Sequence, residues 1–188
     1  VADALATAWA CDPVSAFGAV VASTQPLDAD GARVLAESFV EAVVAPGYTE
    51  DARAVLAKKK NLRVLELPSP AWRVPTRAPV VLRPVEGGFL AQDQDMRAQF
   101  AREVLDAKVV TKAAPTEAQS AALRFTWTVA KHVRSNAIVF GLEDRVLAVG
   151  AGQMSRVDSV KICRLKAGDV LEGSVVASDA FFPFRDGV

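Results

Sequence analysis

The sequence predicts an α/β protein, and three observations carry that prediction. Strand and helix patterns alternate through residues 1–67. The stretch from Arg145 to Asp158 reads as a strand, a glycine turn and a helix start. Half of the 188 residues are hydrophobic (51%), with charges spread along the chain. That is the composition of a globular protein with enough length for a real core, as one domain or two small ones.

The elements follow in order. Val1–Ala10 is helical, with Trp9 on its apolar side, and Asp12-Pro13 breaks it. Phe17–Ala22 reads as a buried strand, and Gly18 inside it suggests close approach by another backbone or a ligand. Asp28–Phe39 carries Ala32, Leu35, Ala36 and Phe39 at helical spacing. Ala42–Ala45 is a short strand ended by Pro46-Gly47. Thr49 caps a helix with Glu50 and Asp51 in its first turn, running to Lys59. Leu62–Leu67 returns as a strand, completing β-α-β-α-β, the pattern of a sheet with helices on its faces.

Pro68–Pro84 holds five prolines and reads as an extended connection. Gly87-Gly88 is a turn before a short strand, Phe89–Ala91, and Asp106–Thr111 is another strand. Thr116 and Gln119 have capping-box spacing and open a helix to about Val133. Ala137–Phe140 and Arg145–Val149 pair across Gly141–Asp144. Ser155–Lys166 is a helix and Ser174–Ser178 the last strand, so the second half repeats a layered α/β plan without a residue-level repeat.

Composition excludes several classes. Formal charge is zero, and no basic block is long enough for nucleic acid; Lys58-Lys59-Lys60 most simply closes a helix against its dipole. Cys11 and Cys163 form no CxxC pair, and no signal peptide is visible, so a reducing, cytoplasmic setting is expected. No apolar run approaches the roughly 20 residues that span a membrane. The helix under way at Val1 and the stop just after Phe184-Arg185-Asp186 give the look of an internal piece of something larger.

The glycine turn, Gly150-Ala151-Gly152, leads into Ser155-Arg156-Val157-Asp158. Ser155 and Asp158 have the spacing of a helix start. Arg156 puts a cation in the first turn, where the dipole favours negative charge. The expectation is that a ligand oxygen shares this site with free N–H groups, and that the empty fold is no less stable without the arginine.

Three further segments stand where strands meet loops: Cys11–Gly18, Glu41–Tyr48 and Lys131–Ala137; Ser178–Asp186 joins them. Crevices at strand ends are where open α/β folds bind ligands. Each residue has an ordinary reading as well. Gly18 relieves packing, Glu41 is a helix-end charge, Asn136 caps a turn, and Asp179 and Asp186 are turn residues. Phe181, Phe182 and Phe184 are core as often as ligand platform, and His132 has no second histidine for a metal.

Six stretches decide between these readings: CDPVSAFG (11–18), VAPGY (44–48), KKKNLRVLEL (58–67), KHVRSNAIVF (131–140), GAGQMSRVDSV (150–160) and VASDAFFPFRDG (176–187). In order, along essentially the whole chain, they resemble the AICAR transformylase domain of the bifunctional purine-biosynthesis protein that also carries IMP cyclohydrolase. The resemblance implies formyl transfer from the cosubstrate 10-formyltetrahydrofolate to the 5-amino group of AICAR, without a redox cofactor. It implies a layered α/β/α fold of two related cytidine-deaminase-like subdomains. Residues 1–67 would belong to the first, 68–105 would connect, and 106–188 would belong to the second. Active sites would form at a homodimer interface, shared between subunits. Gly18 and Glu41 would lie on the nucleotide side. Asn136, Arg156 and Phe181 would reach AICAR from the other subunit, with Asn136 as the catalytic amide. Val157 and Asp186 would contact the folate, and Asp179 would help hold a structural potassium ion. No nucleic acid and no membrane partner are implied.

The chain departs from the family pattern in two ways. Glu41 stands where the family often carries Asp. The Lys-His pair of a KH(V/N)PxG-type motif, source of the expected proton acceptor, does not occur in these residues, and His132 lies in a different motif. A noncatalytic fragment that binds nucleotide or folate, or that serves dimerisation, is therefore the alternative. A zinc deaminase is rejected because the H-x-E and P-C-x-x-C patterns are missing. A dinucleotide fold lacks its third glycine.

Overall fold

The computed structural model describes residues 1–68, 79–95 and 107–185. The chain is mixed α/β and divides into two compact units, Val1–Val74 and Pro75–Val188.

In the first unit three parallel strands stand in the order β1-β2-β3: β1 is Ala19–Ala22, β2 Val40–Ala45 and β3 Arg63–Glu66. Helix α1 (Ala2–Ala10) precedes them, and α2 (Ala29–Ala36) and α3 (Glu50–Leu56) make the crossovers. Local chemistry sets both helix starts. The Asp28 carboxylate accepts from Gly31 N at 2.8 Å and the Thr49 hydroxyl from Ala52 N at 3.2 Å, each satisfying an orphan donor. Leu27, Leu35, Val43, Ala45 and Leu56 are buried in one cluster, with Trp9 packed against it.

Three expectations change here. The first strand is not buried: β1 pairs only with β2, and Val20 is 76% exposed. Gly18 precedes that strand rather than lying inside it. Its φ of +76° is what calls for glycine, since a Cβ there would make only ordinary contact, 3.6 Å from the Phe39 ring. The helices are shorter than predicted, so Phe39 and Lys58–Lys60 lie beyond α2 and α3.

In the second unit β4 (Val80–Val85) and β5 (Gly88–Asp93) form an antiparallel hairpin. The sequence reading missed β4 because Pro84 argued for a connection. A two-stranded hairpin has only edges, where a missing N–H is tolerated. The remaining strands stand in the order β7-β6-β8, all antiparallel: β6 is Ile138–Gly141, β7 Val146–Gly150 and β8 Val175–Ser178. Helix α4 (Glu117–Ala130) packs on β6 and β8, and α5 (Arg156–Ala167) on β6 and β7. Successive residues of β6 serve the two faces: Val139 joins the cluster with Ala130 and Ala177, while Ile138 joins Ala148 and Cys163. This unit carries a helix on each face of its sheet, whereas the helices of the first share one core cluster, and its strands run antiparallel rather than parallel.

The Thr116–Gln119 capping box forms as predicted, with both reciprocal hydrogen bonds. The one at Ser155 does not. Ser155 holds the N-cap position, but its side chain makes no capping bond, and the Asp158 carboxylate pairs with Lys161 at 3.1 Å. Nor is there a strand at 107–111: Val109 and Val110 are exposed and pair with no neighbour strand. The strand expected at Asp106 begins outside the described residues.

Candidate functional site

Three sequence-distant segments of the second unit meet at the end of the β7-β6-β8 sheet. Asn136 lies just before β6, Arg156 opens α5, and Ser178-Asp179 closes β8. The Arg156 guanidinium joins them. One terminal nitrogen donates to Ser178 Oγ at 2.8 Å and to Asp179 Oδ1 at 2.5 Å, and the other to Asn136 Oδ1 at 2.7 Å. The Arg156 side chain is 11% exposed and that of Asp179 26%, so this pair is largely withdrawn from water.

Asn136 is held at both ends. Its Nδ2 donates to Gln153 O at 2.8 Å and Met154 O at 3.0 Å, while Oδ1 accepts from Arg156. Only this amide orientation satisfies all three contacts, because both carbonyls are acceptors and the guanidinium is a donor. Its backbone is tied too: Asn136 N donates to Gln153 O at 3.3 Å, and Ser159 Oγ donates to Asn136 O at 2.7 Å. Both amide protons are therefore committed to the carbonyls of Gln153 and Met154, so the side chain caps this turn, as its ordinary reading had it, and holds Arg156 through its oxygen.

The expectation for Arg156 changes as well. The cation that looked unfavourable in a first helical turn is compensated by the Asp179 carboxylate and two neutral oxygens of the chain itself. A ligand is not needed to explain it. Two of its five N–H groups, that on Nε and one on the second terminal nitrogen, have no partner among the described residues and remain for one. Burial pushes the Asp179 carboxyl upward. Hydrogen bonds from the Ser135 side chain, Arg156 and Ala137 N outweigh it, and the net displacement is below the ordinary carboxylate value.

The two glycines of the turn have different reasons. A Cβ on Gly150 would stand 2.0 Å from Ser159 O, so only glycine lets β7 and α5 approach this closely. At Gly152 there is open space, but φ is +69°.

Around this cluster lie groups open to solvent. A cavity of about 310 Å³ is lined by Trp127, Lys131, Ser135 and Asp179, among others. Phe181 is 80% exposed and Phe184 is exposed too, whereas Phe182 packs against the cluster of Ile138 and Cys163. The Phe-Phe-Pro-Phe segment thus divides between a core anchor and two free aromatic faces. Val157 is half-buried beside Arg156. Asp186 lies outside the described residues.

In the first unit, Glu41 is exposed and pairs with Arg63 across the sheet at 3.3 Å. Gly18 N donates to Phe39 O at 2.9 Å. Tyr48 of the VAPGY stretch donates from its hydroxyl to Leu65 O at 2.8 Å, tying the loop after β2 to β3. No group of three or more His, Cys, Asp or Glu suited to a metal occurs among the described residues. No described helix is long and apolar enough to cross a membrane.

The family profile described as AICARFT/IMPCHase bienzyme matches residues 1–166. The chain belongs to this family. Relatives agree with it along their shared length. A bifunctional purine biosynthesis protein PurH of Anaeromyxobacter sp. (strain Fw109-5) is 53% identical over 195 residues, covering 100% of this chain and 36% of the relative. Proteins of the same name from Cereibacter sphaeroides and Myxococcus xanthus are 50% and 52% identical, with 36% and 35% of their lengths covered. The chain thus spans about a third of the relatives it matches.

Within the AICARFT/IMPCHase chain, sequence reasoning gave no role to Ser135, Ser159 or Ser178, yet all three hydroxyls bond to the Asn136–Arg156–Asp179 cluster. A signal was present for Ser159. It follows Arg156 by three residues, so it shares that face of α5, and a small polar residue on a core-facing helix stripe asks for a buried partner.

Proposed function

We propose that the intact protein containing this chain is a phosphoribosylaminoimidazolecarboxamide formyltransferase. It transfers the formyl group of 10-formyltetrahydrofolate to the 5-amino group of AICAR in purine (IMP) biosynthesis. The observation that carries this reading is membership of the AICARFT/IMPCHase bienzyme family across residues 1–166. The Asn136–Arg156–Asp179 cluster supports it, since it draws together three of the six stretches that carry the resemblance.

The 5-amino group of AICAR is a weak nucleophile because its lone pair is delocalised into the ring. Transfer therefore needs alignment with the formyl carbon, removal of a proton and stabilisation of a tetrahedral oxyanion. In our reading the two unused N–H groups of Arg156 bind the carboxamide oxygen of AICAR. Asn136 fixes their direction by holding the guanidinium, and Phe181 offers a flat apolar face to the heterocycle. Gly18 and Glu41 stand on the nucleotide side, and Val157 and Asp186 on the folate side. The subdomains are cytidine-deaminase-like, divided at the connection 68–105. Two copies share each active site, and the enzyme works in the cytoplasm.

A structural potassium ion fits the donor chemistry in part. Asp179 Oδ1 is taken by Arg156 and Ala137 N, and the Ser135 hydroxyl donates to the carboxylate, so only lone pairs of the second carboxylate oxygen and of the Ser135 oxygen remain as hard donors. The ion would supply fixed positive charge beside the Ser135–Asn136 turn.

The test is FAICAR formation by the intact dimer from AICAR and 10-formyltetrahydrofolate. A folded dimer that forms none overturns the proposal. Asn136→Ala is expected to lower kcat by roughly 10²-fold, the scale for a lost preorganised donor, here lost through misplacement of Arg156. A rise in KM for AICAR with kcat unchanged would reduce Asn136 to a binding residue.

A further inference from the structure

The first unit holds a second concavity that the Asn136–Arg156–Asp179 cluster does not include. It has a volume of about 390 Å³ and lies beyond the C-terminal ends of α2 and α3. Lys58, Lys59 and Lys60 all line it. Three consecutive residues of a helix cannot share one face. Here α3 has ended at Leu56, and the turn that follows brings all three lysines onto the same cavity.

Helix dipoles account for only part of this. Each helix end carries about half a negative charge, so the two ends offset roughly one of the three lysines. Glu37, also in the wall, offsets a second without forming an ion pair with any of them. Among the described residues no carboxylate pairs with Lys58, Lys59 or Lys60, and the cavity keeps a positive excess. The rest of its wall is largely apolar, with Leu35, Phe39 and Leu62. Phe39 connects it to the candidate nucleotide side. Its carbonyl accepts from Gly18 N at 2.9 Å, and its ring lies 4.9 Å from that of Phe17. Three lysines in the lining beside an apolar wall suit a ligand with a flat or aliphatic body and an anionic end.

We propose that this cavity docks the anionic end of a substrate through Lys58, Lys59 and Lys60. The inference rests on the proposed formyl transfer, whose two substrates offer the same chemistry from different sources: the phosphate of AICAR and the glutamate carboxylates of the folate.

The experiment uses the intact protein and a triple variant, Lys58→Gln, Lys59→Gln and Lys60→Gln. It measures KM and kcat for AICAR and for 10-formyltetrahydrofolate bearing one or several glutamates. One KM is expected to rise by about tenfold while kcat stays within about twofold, the signature of lost uniform binding. A rise for AICAR identifies the phosphate. A rise for the folate that grows with glutamate number identifies the carboxylates. In the wild type that same KM should climb as salt goes from about 50 to about 300 mM, because the contact is exposed to screening. Lys59→Arg, which keeps the charge, should leave it near wild type. If the wild type turns over and neither KM moves, the cavity is not a docking site and formyl transfer stands. A wild type that makes no FAICAR fails the reaction itself, and the inference with it. Should the triple variant not fold, Lys59→Gln and the wild-type salt series decide: a KM flat in both overturns the proposal.

Discussion

Arg156 and Asp179 meet at 2.5 Å although they stand 23 positions apart, and this contact fixes the start of α5 against the end of β8. Both side chains are mostly out of solvent, so their attraction is screened less than that of the exposed pairs elsewhere in the chain.

Arg156→Ala is therefore expected to destabilise the empty protein, against the sequence expectation that it would be indifferent. It leaves the Asn136 oxygen without its donor and the Asp179 carboxylate without its cation, although Ala137 N and Ser135 still donate to that carboxylate, at about 2–3 kcal/mol. Arg156→Lys should recover only part of this, because one ammonium cannot reach three acceptors set for a planar fork. Urea unfolding without ligand measures both. Unchanged midpoints would show the cluster to be energetically idle.

The pH dependence follows from Asp179. Its folded value lies below its ordinary 3.8, so the folded state holds the proton less tightly than the unfolded chain does. The resulting stability is fully present above the unfolded value and is lost as pH falls through the folded one. Asp179→Asn should be less stable than wild type at neutral pH. The difference should shrink as both are titrated below about pH 4 in thermal unfolding. A gap that stays constant with pH would exclude the carboxylate as its source.

The glycines of the turn should separate by mechanism. Gly150→Ala forces β7 from α5, because a backbone oxygen 2.0 Å away cannot move aside alone, and about 3 kcal/mol or more should be lost. Gly152→Ala meets no neighbour and bears only the strain of φ +69°, about 1–2 kcal/mol. Asparagine, which tolerates that region, should be milder at Gly152 and no help at Gly150. Unfolding midpoints of the four variants test the order.

The aromatic segment offers a matched pair. Phe181→Ala should change stability by no more than about 0.5 kcal/mol, being a surface substitution, while raising KM for AICAR roughly tenfold as an aromatic anchor is lost. Phe182→Ala should destabilise by about 2 kcal/mol because Phe182 packs on the core. Equal stability losses would contradict the division between platform and anchor.

The sequence by itself determined the local features. Thr49, Asp28 and the Thr116–Gln119 box start their helices because a cap needs only residues three apart, and the predicted hairpin of β6 and β7 formed because its turn is short. It also carried the family, through motifs legible without any fold. Tertiary structure decided what each motif residue does. Arg156 read as a cation in the wrong place until β8 brought Asp179 to it. Asn136 read as a turn cap or a catalytic amide, and the fold chose its partners, Gln153, Met154 and Arg156. The Ser155 cap read as formed while its acid had turned to Lys161. Charge and hydrogen-bonding capacity are written in the residue, but partners 17 to 23 positions away are chosen by how the strands order and how closely β7 and α5 approach. No periodicity along one chain encodes that distance.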